Sequence, residues 1–128
     1  MVELKADDVR TLVDLGFLAV SYGLSDKAAP IFAAVRATRP TQEAGFIGGA
    51  LVNLARGDAD GAIRALRALP PTDAARTFLA IALNRSGDRE AAREILTEVV
   101  NTAPGTPYAT LARQLLEDAE KPQPPLFR

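Results

Sequence analysis

The sequence predicts an all-α fold of three stacked helical hairpins closed by a C-terminal capping helix. Two observations carry that expectation. First, a glycine followed five residues later by an alanine, and four further on by an apolar residue, occurs three times: Gly23/Ala28/Phe32, Gly57/Ala62/Leu66 and Gly87/Ala92/Leu96. Second, the chain is rich in Ala, Leu and Arg, all good helix formers. With five Phe, two Tyr and no Trp, its core must come mainly from small and aliphatic side chains.

The helices follow in order from these landmarks. The first is predicted over about 7–22 and ends at Gly23, a position suited to the left-handed conformation that terminates a helix. Ser25 is placed to N-cap the second, over 26–38, which Pro40 stops. The third runs over 41–56 to Gly57, and Asp58 caps the fourth, over 59–69. Leu69-Pro70-Pro71 cuts that helix short, which explains why 34 residues separate Gly23 from Gly57 but only 30 separate Gly57 from Gly87. The fifth spans 72–86, Gly87 and Asp88 repeat the turn and cap, and the sixth spans 89–102 before Pro104. Gly16, Ala50 and Ala80, each seven residues before a hairpin glycine, let the two helices of a pair approach closely. A seventh helix over 107–117, with apolar residues at 108, 111, 112 and 115, is expected to cover the open end of the stack. The repeat domain then occupies 1–120, and the Pro-rich segment 121–128 is expected to be a non-helical, flexible tail.

The residues that carry chemistry are sparse. Histidine and cysteine are absent, which removes the commonest general base, the thiol nucleophile and the usual zinc ligands. The chain is expected not to be an enzyme and to need neither cofactor nor metal. The acidic groups Asp7-Asp8, Asp58/Asp60 and Glu117-Asp118/Glu120 fall at helix N-termini or polar ends, where carboxylates complement the helix dipole or meet water. Gly45-Phe46-Ile47-Gly48-Gly49 lacks the Lys-Ser/Thr ending of a phosphate loop and reads as part of a helix. With 15 basic and 16 acidic residues interspersed, there is no basic surface for nucleic acid. The N-terminus has no signal-peptide pattern, and no apolar stretch, 16–20 among them, approaches the length needed to span a membrane. A cytoplasmic protein is expected.

The order small–Gly–Ala–aromatic–Pro and the 34-residue period resemble the tetratricopeptide repeat over residues 9–104. That resemblance implies hairpins wound into a right-handed superhelix, with the first helix of each pair lining a concave groove. Transferred position by position, it puts Arg10, Val13, Phe17 and Val20 on that face, then Ala44, Ile47, Leu51 and Leu54, then Ala74, Thr77, Ile81 and Asn84, with Phe78 alongside. Gly48 on the same face would leave room for a partner's backbone. Family members that clamp an acidic C-terminus carry Lys, Asn and Arg here, so this apolar face implies a different partner. The stripe Val13, Phe17, Val20, Ile47, Leu51, Leu54, Phe78 and Ile81 is either core or a seat for an amphipathic helix.

Among proteins of this repeat, the chain resembles the small chaperones of bacterial type III secretion, the needle-subunit group and its plant-pathogen-type relatives. The carrying segments are Val13-Asp14-Leu15-Gly16-Phe17-Leu18-Ala19 with Tyr22-Gly23, Leu54 to Ala62, Leu79 to Gly87, and the helix after Pro107. The resemblance implies a partner: an amphipathic helix of a self-polymerising secretion subunit, often bound together with a small helical co-chaperone. A self-associating homo-oligomeric scaffold, or an assembly or regulatory adaptor of another pathway, is the alternative.

Overall fold

In the computed structural model, which describes residues 4–120, the chain forms seven helices and no strand among those residues. They are α1 (Ala6–Ser21), α2 (Ser25–Thr38), α3 (Ala44–Ala55), α4 (Ala59–Arg67), α5 (Asp73–Ser86), α6 (Arg89–Thr102) and α7 (Pro107–Glu120). The segment 121–128, expected to be a flexible tail, lies outside the described residues.

The three hairpin turns are built alike. Gly23, Gly57 and Gly87 all have positive φ (75°, 83° and 98°). In each turn the residue after the glycine donates its N–H back to a carbonyl five residues earlier: Leu24 to Ala19 (2.8 Å), Asp58 to Asn53 (2.8 Å) and Asp88 to Leu83 (3.0 Å). The glycine N–H bonds the carbonyl three residues before it, which completes a Schellman closure.

This geometry fixes the N-cap of the following helix one residue past the glycine. Asp58 Oδ1 accepts from Gly61 N (2.9 Å), and Asp88 Oδ1 accepts from Ala91 N (3.2 Å). In the first hairpin the cap position falls on Leu24, so Ser25, expected as the cap, is instead the first helical residue and α2 begins without a side-chain cap. The backbone at Leu24 (φ −98°, ψ 50°) is close to that at Asp58 (φ −98°, ψ 71°) and Asp88 (φ −87°, ψ 72°). Leu24→Asp is therefore expected to stabilise the fold by about 1 kcal/mol, read as a higher urea midpoint.

Two further boundaries differ from expectation. α3 starts at Ala44 rather than 41, because Pro40-Thr41-Gln42 form a turn in which Gln42 N bonds Arg39 O (3.1 Å). α7 extends to Glu120 and is rotated relative to the expected stripe. Ala109 and Ala112 are buried with Tyr108, Leu115 and Leu116 beside them, whereas Leu111 faces outward.

Each helix packs on its neighbours in sequence, and α1, α3, α5 and α7 also pack on one another in series. The even helices make no contact among themselves. The odd helices therefore form a continuous inner layer, and α2, α4 and α6 sit separately outside it. The main core runs through the second and third hairpins, from Ile47, Ala50 and Leu54 through Leu66 and Leu83 to Leu96, Val99 and Ala112.

A smaller cluster in the first hairpin centres on Phe32, which is fully buried. Its ring occupies the place of two missing side chains. A Cβ on Gly16 of α1 would stand 2.6 Å from Phe32 Cζ, and one on Gly48 of α3 would stand 2.1 Å from Phe32 Cδ1. Both helices yield a side chain so that one ring can seat between them. The room expected at Gly48 for a partner's backbone is thus filled from within the chain.

Side-chain polar ties between elements are few. Arg76 reaches from α5 to α6, with Nη2 donating to Asp73 Oδ1 (2.7 Å) and Thr102 Oγ1 (3.1 Å). The buried Thr77 hydroxyl donates to Asp73 O (2.7 Å). Arg39 holds the N-terminal segment through Leu4 O (3.1 Å). The ion pair of Arg56 with Asp26 (2.7 Å) is exposed and adds little to stability.

Candidate functional site

The inner layer presents one face of α1, α3 and α5, and helical periodicity decides what each helix shows there. On α1, Val13, Phe17 and Val20 recur at spacings of four and three and are half-buried, with Arg10 exposed above them. Phe17 meets Phe32 edge-on, with ring centroids 5.1 Å apart and planes at 65°, which fixes its orientation. On α3, Leu51 is half-buried, but Ile47 and Leu54 are only 3% and 6% exposed and belong to the core. On α5, Phe78 and Ile81 are half-buried, Ala74 and Thr77 are buried, and Asn84 is exposed.

Of the nine residues read from the sequence as partner-binding, Phe17, Leu51, Phe78 and Ile81 are brought together as partly open side chains over the core that holds Ile47 and Leu54. Val20 packs instead with the Phe32 cluster. Val13 lies farther out, on a separate hollow of about 270 Å³ between the start of α1 and the α2–α3 turn. Gly48 lies under Phe32. What remains partly accessible over the main core is an apolar set, Phe17, Leu51, Phe78 and Ile81, with Arg10 and Asn84 exposed on the same helices.

Sequence reasoning passed over a second apolar feature. Leu15 (49% exposed) and Leu18 (52%) stand on α1 and Tyr22 (73%) caps its C-terminus, with Leu24 in the following turn. Their spacing of three and four residues was the available signal for a continuous stripe. It was masked because the same helix also carries the inner-face residues one position away.

Several of the acidic groups named in the sequence sit at helix starts. Asp58 is a cap, Asp60 stands in the first turn of α4, and Asp7 and Asp8 stand in that of α1, where Asp8 Oδ2 accepts from Lys5 N (3.2 Å). Among the described residues no cluster of acidic side chains could hold a metal ion. Gly45 to Gly49 lie inside α3. No helix of the described residues is long and apolar enough to cross a membrane.

Comparison with known proteins places this geometry. The chain is similar to the type III secretion translocator chaperone SycD of Yersinia enterocolitica, with a TM-score of 0.73 and 21% identity over 91% of this chain and 92% of that one. At that identity the likeness is one of fold. No curated protein sequence matches the chain. The tetratricopeptide repeat model matches residues 53–116, half of the chain, beginning in α3 and ending in α7. The matched residues include the hairpin glycines Gly57 and Gly87 with Ala62 and Ala92, and the chain belongs to the tetratricopeptide repeat family.

Proposed function

We propose that this protein is a cytoplasmic chaperone of bacterial type III secretion that binds an amphipathic helix of a secretion subunit along its inner face. The observation that carries this reading is the set of half-buried apolar side chains Phe17, Leu51, Phe78 and Ile81 on α1, α3 and α5. The likeness in fold to a translocator chaperone supports the pathway. The protein acts by binding and not by catalysis. A client helix with apolar residues at i, i+3, i+4 and i+7 lays them against Phe17, Leu51, Phe78 and Ile81, and thereby hides the surface through which the client would polymerise. Each aliphatic side chain so buried contributes on the order of 1.5–3 kcal/mol before the costs of association.

The test is affinity capture of the tagged protein from its own host, with mass spectrometry of what is bound. Recovery of a small, helical, self-polymerising secretion subunit near one-to-one, alone or with a small co-chaperone, supports the reading and names the client. Recovery of components of an unrelated assembly pathway refutes the secretion assignment.

A second reading rests on the outer face of α1. Terminal units of a helical stack present a polar outer surface to water. α7 largely does so, through Thr110, Arg113, Gln114, Glu117 and Asp118, whereas α1 and its C-terminal cap expose Leu15, Leu18 and Tyr22. On this reading two copies meet through α1 as a homodimer. Sedimentation equilibrium is then expected to give a dimer that Leu18→Lys converts to a monomer. A wild-type chain that stays monomeric at high concentration rules the homodimer out.

A further inference from the structure

We infer that the hollow between α5, α6 and α7 is a second binding site, for a peptide segment that carries apolar side chains flanked by carboxylates. The hollow measures about 250 Å³. Its floor is apolar, formed by Ala80 and Ile81 of α5, Ala92 and Leu96 of α6, and Leu115 and Leu116 of α7. Its rim carries Arg85, Arg89 and Arg93, and no carboxylate lines it.

Local structure explains how the arginines come together. Arg89, Ala92, Arg93 and Leu96 fall at i, i+3, i+4 and i+7, which places them on one face of α6. Arg85 stands in the last turn of α5, two residues before the hairpin glycine, and so faces the start of α6 across the turn. All three are exposed, and among the described residues none forms an ion pair or hydrogen bond. Of the acids that adjoin these arginines in sequence, Asp88 is committed to capping α6. Glu90 and Glu94 line an adjoining hollow together with Arg89 and Arg93. Because no carboxylate lines the α5–α6–α7 hollow, an anionic group entering it meets only the three guanidinium groups, whose attraction favours it there.

Size and charge together select the occupant. Sites that enclose a whole drug-sized molecule have volumes of roughly 300–1,000 Å³. This hollow is smaller and suits one or two side chains of a longer chain lying across it. The floor accepts those side chains, and the guanidinium forks of Arg85, Arg89 and Arg93 on the rim bind carboxylates of the flanking residues. Only Ile81 is shared with the inner-face strip, and no residue of α1 to α4 takes part, so the inference stands apart from the reading of that strip.

The probe is a fluorescein-labelled peptide, acetyl-Glu-Leu-Asp-Leu-Glu-amide, titrated into the full chain with ¹⁵N chemical-shift mapping in parallel. Saturable binding is expected, with a Kd of about 1 mM or tighter, with shifts centred on Ile81, Leu115 and Leu116, and weakened by added salt. A Leu-to-Ser version of the peptide should not bind. Arg89→Glu with Arg93→Glu, both at exposed positions, should weaken the acidic peptide at least tenfold and admit the basic version, acetyl-Lys-Leu-Lys-Leu-Lys-amide. The inference is overturned by absence of binding, by binding that ignores the charge reversal, or by shifts confined to Val13, Phe17 and Leu51. It is also overturned if the peptide binds only after removal of residues 121–128, which would make the chain's own end the occupant.

Discussion

Adding a single methyl group at Gly48 is expected to destabilise the fold by about 1–3 kcal/mol, and Gly48→Val by more. Two effects oppose each other at this position. Alanine in a helix interior is favoured over glycine by about 1 kcal/mol, so on propensity alone the substitution would stabilise α3. The new Cβ, however, would stand 2.1 Å from two carbons of the Phe32 ring. That ring is wholly buried and is hemmed in from the other side by Gly16 of α1. It cannot swing away without entering α1, so the clash outweighs the propensity gain. Phe32→Ala leaves the socket empty and is expected to cost about 3–5 kcal/mol. The double variant Gly48→Ala with Phe32→Leu should be more stable than the two single losses added together, because the smaller side chain makes the room that the methyl group needs. Urea denaturation of the wild type, Gly48→Ala, Phe32→Leu and their double variant measures this directly. An unchanged midpoint for Gly48→Ala would mean that α1, α2 and α3 do not meet as closely as described.

The second large effect is on binding. Leu51→Asp is expected to weaken the client complex roughly 100-fold or more, since it removes an apolar contact and sets a carboxylate where a partner would desolvate it. Leu51 is the one half-buried member of the strip on α3, between Phe17 on one side and Phe78 and Ile81 on the other. Its partial exposure lets the carboxylate reach water in the free protein, so helical content measured by circular dichroism should be unchanged. Titration calorimetry with the captured client provides the comparison. Binding at wild-type strength would remove α3 from the site and with it the continuous strip.

The hairpins were legible in the sequence because their turns impose a chemical requirement. Only glycine sits comfortably at φ values near 75–98°, and three glycines each with an alanine five residues on mark three such turns. The cap at Ser25 was misplaced by one residue, since the turn bond from Leu24 to Ala19 fixes the register and a serine in the next position cannot alter it. The inner-face positions were legible as directions but not as depths. Ile47 and Leu51 share a face four residues apart, yet one is core and the other half-open, because depth depends on the angle at which neighbouring hairpins pack. Gly48 was readable as a site of close approach, but which side chain approached it was set by Phe32, sixteen residues earlier and on another helix. The arginine-rimmed hollow needed three helices to meet, and no spacing within a single helix announces that.

The packing list has a kinetic consequence as well. Every helix contacts only helices one or two places away in the chain. Contacts between segments close in sequence require little loop closure, and chains dominated by them fold in microseconds to milliseconds. A hairpin emerging during synthesis finds its packing partners already made and does not wait for distant sequence. The protein can therefore reach its working form almost as soon as it is translated.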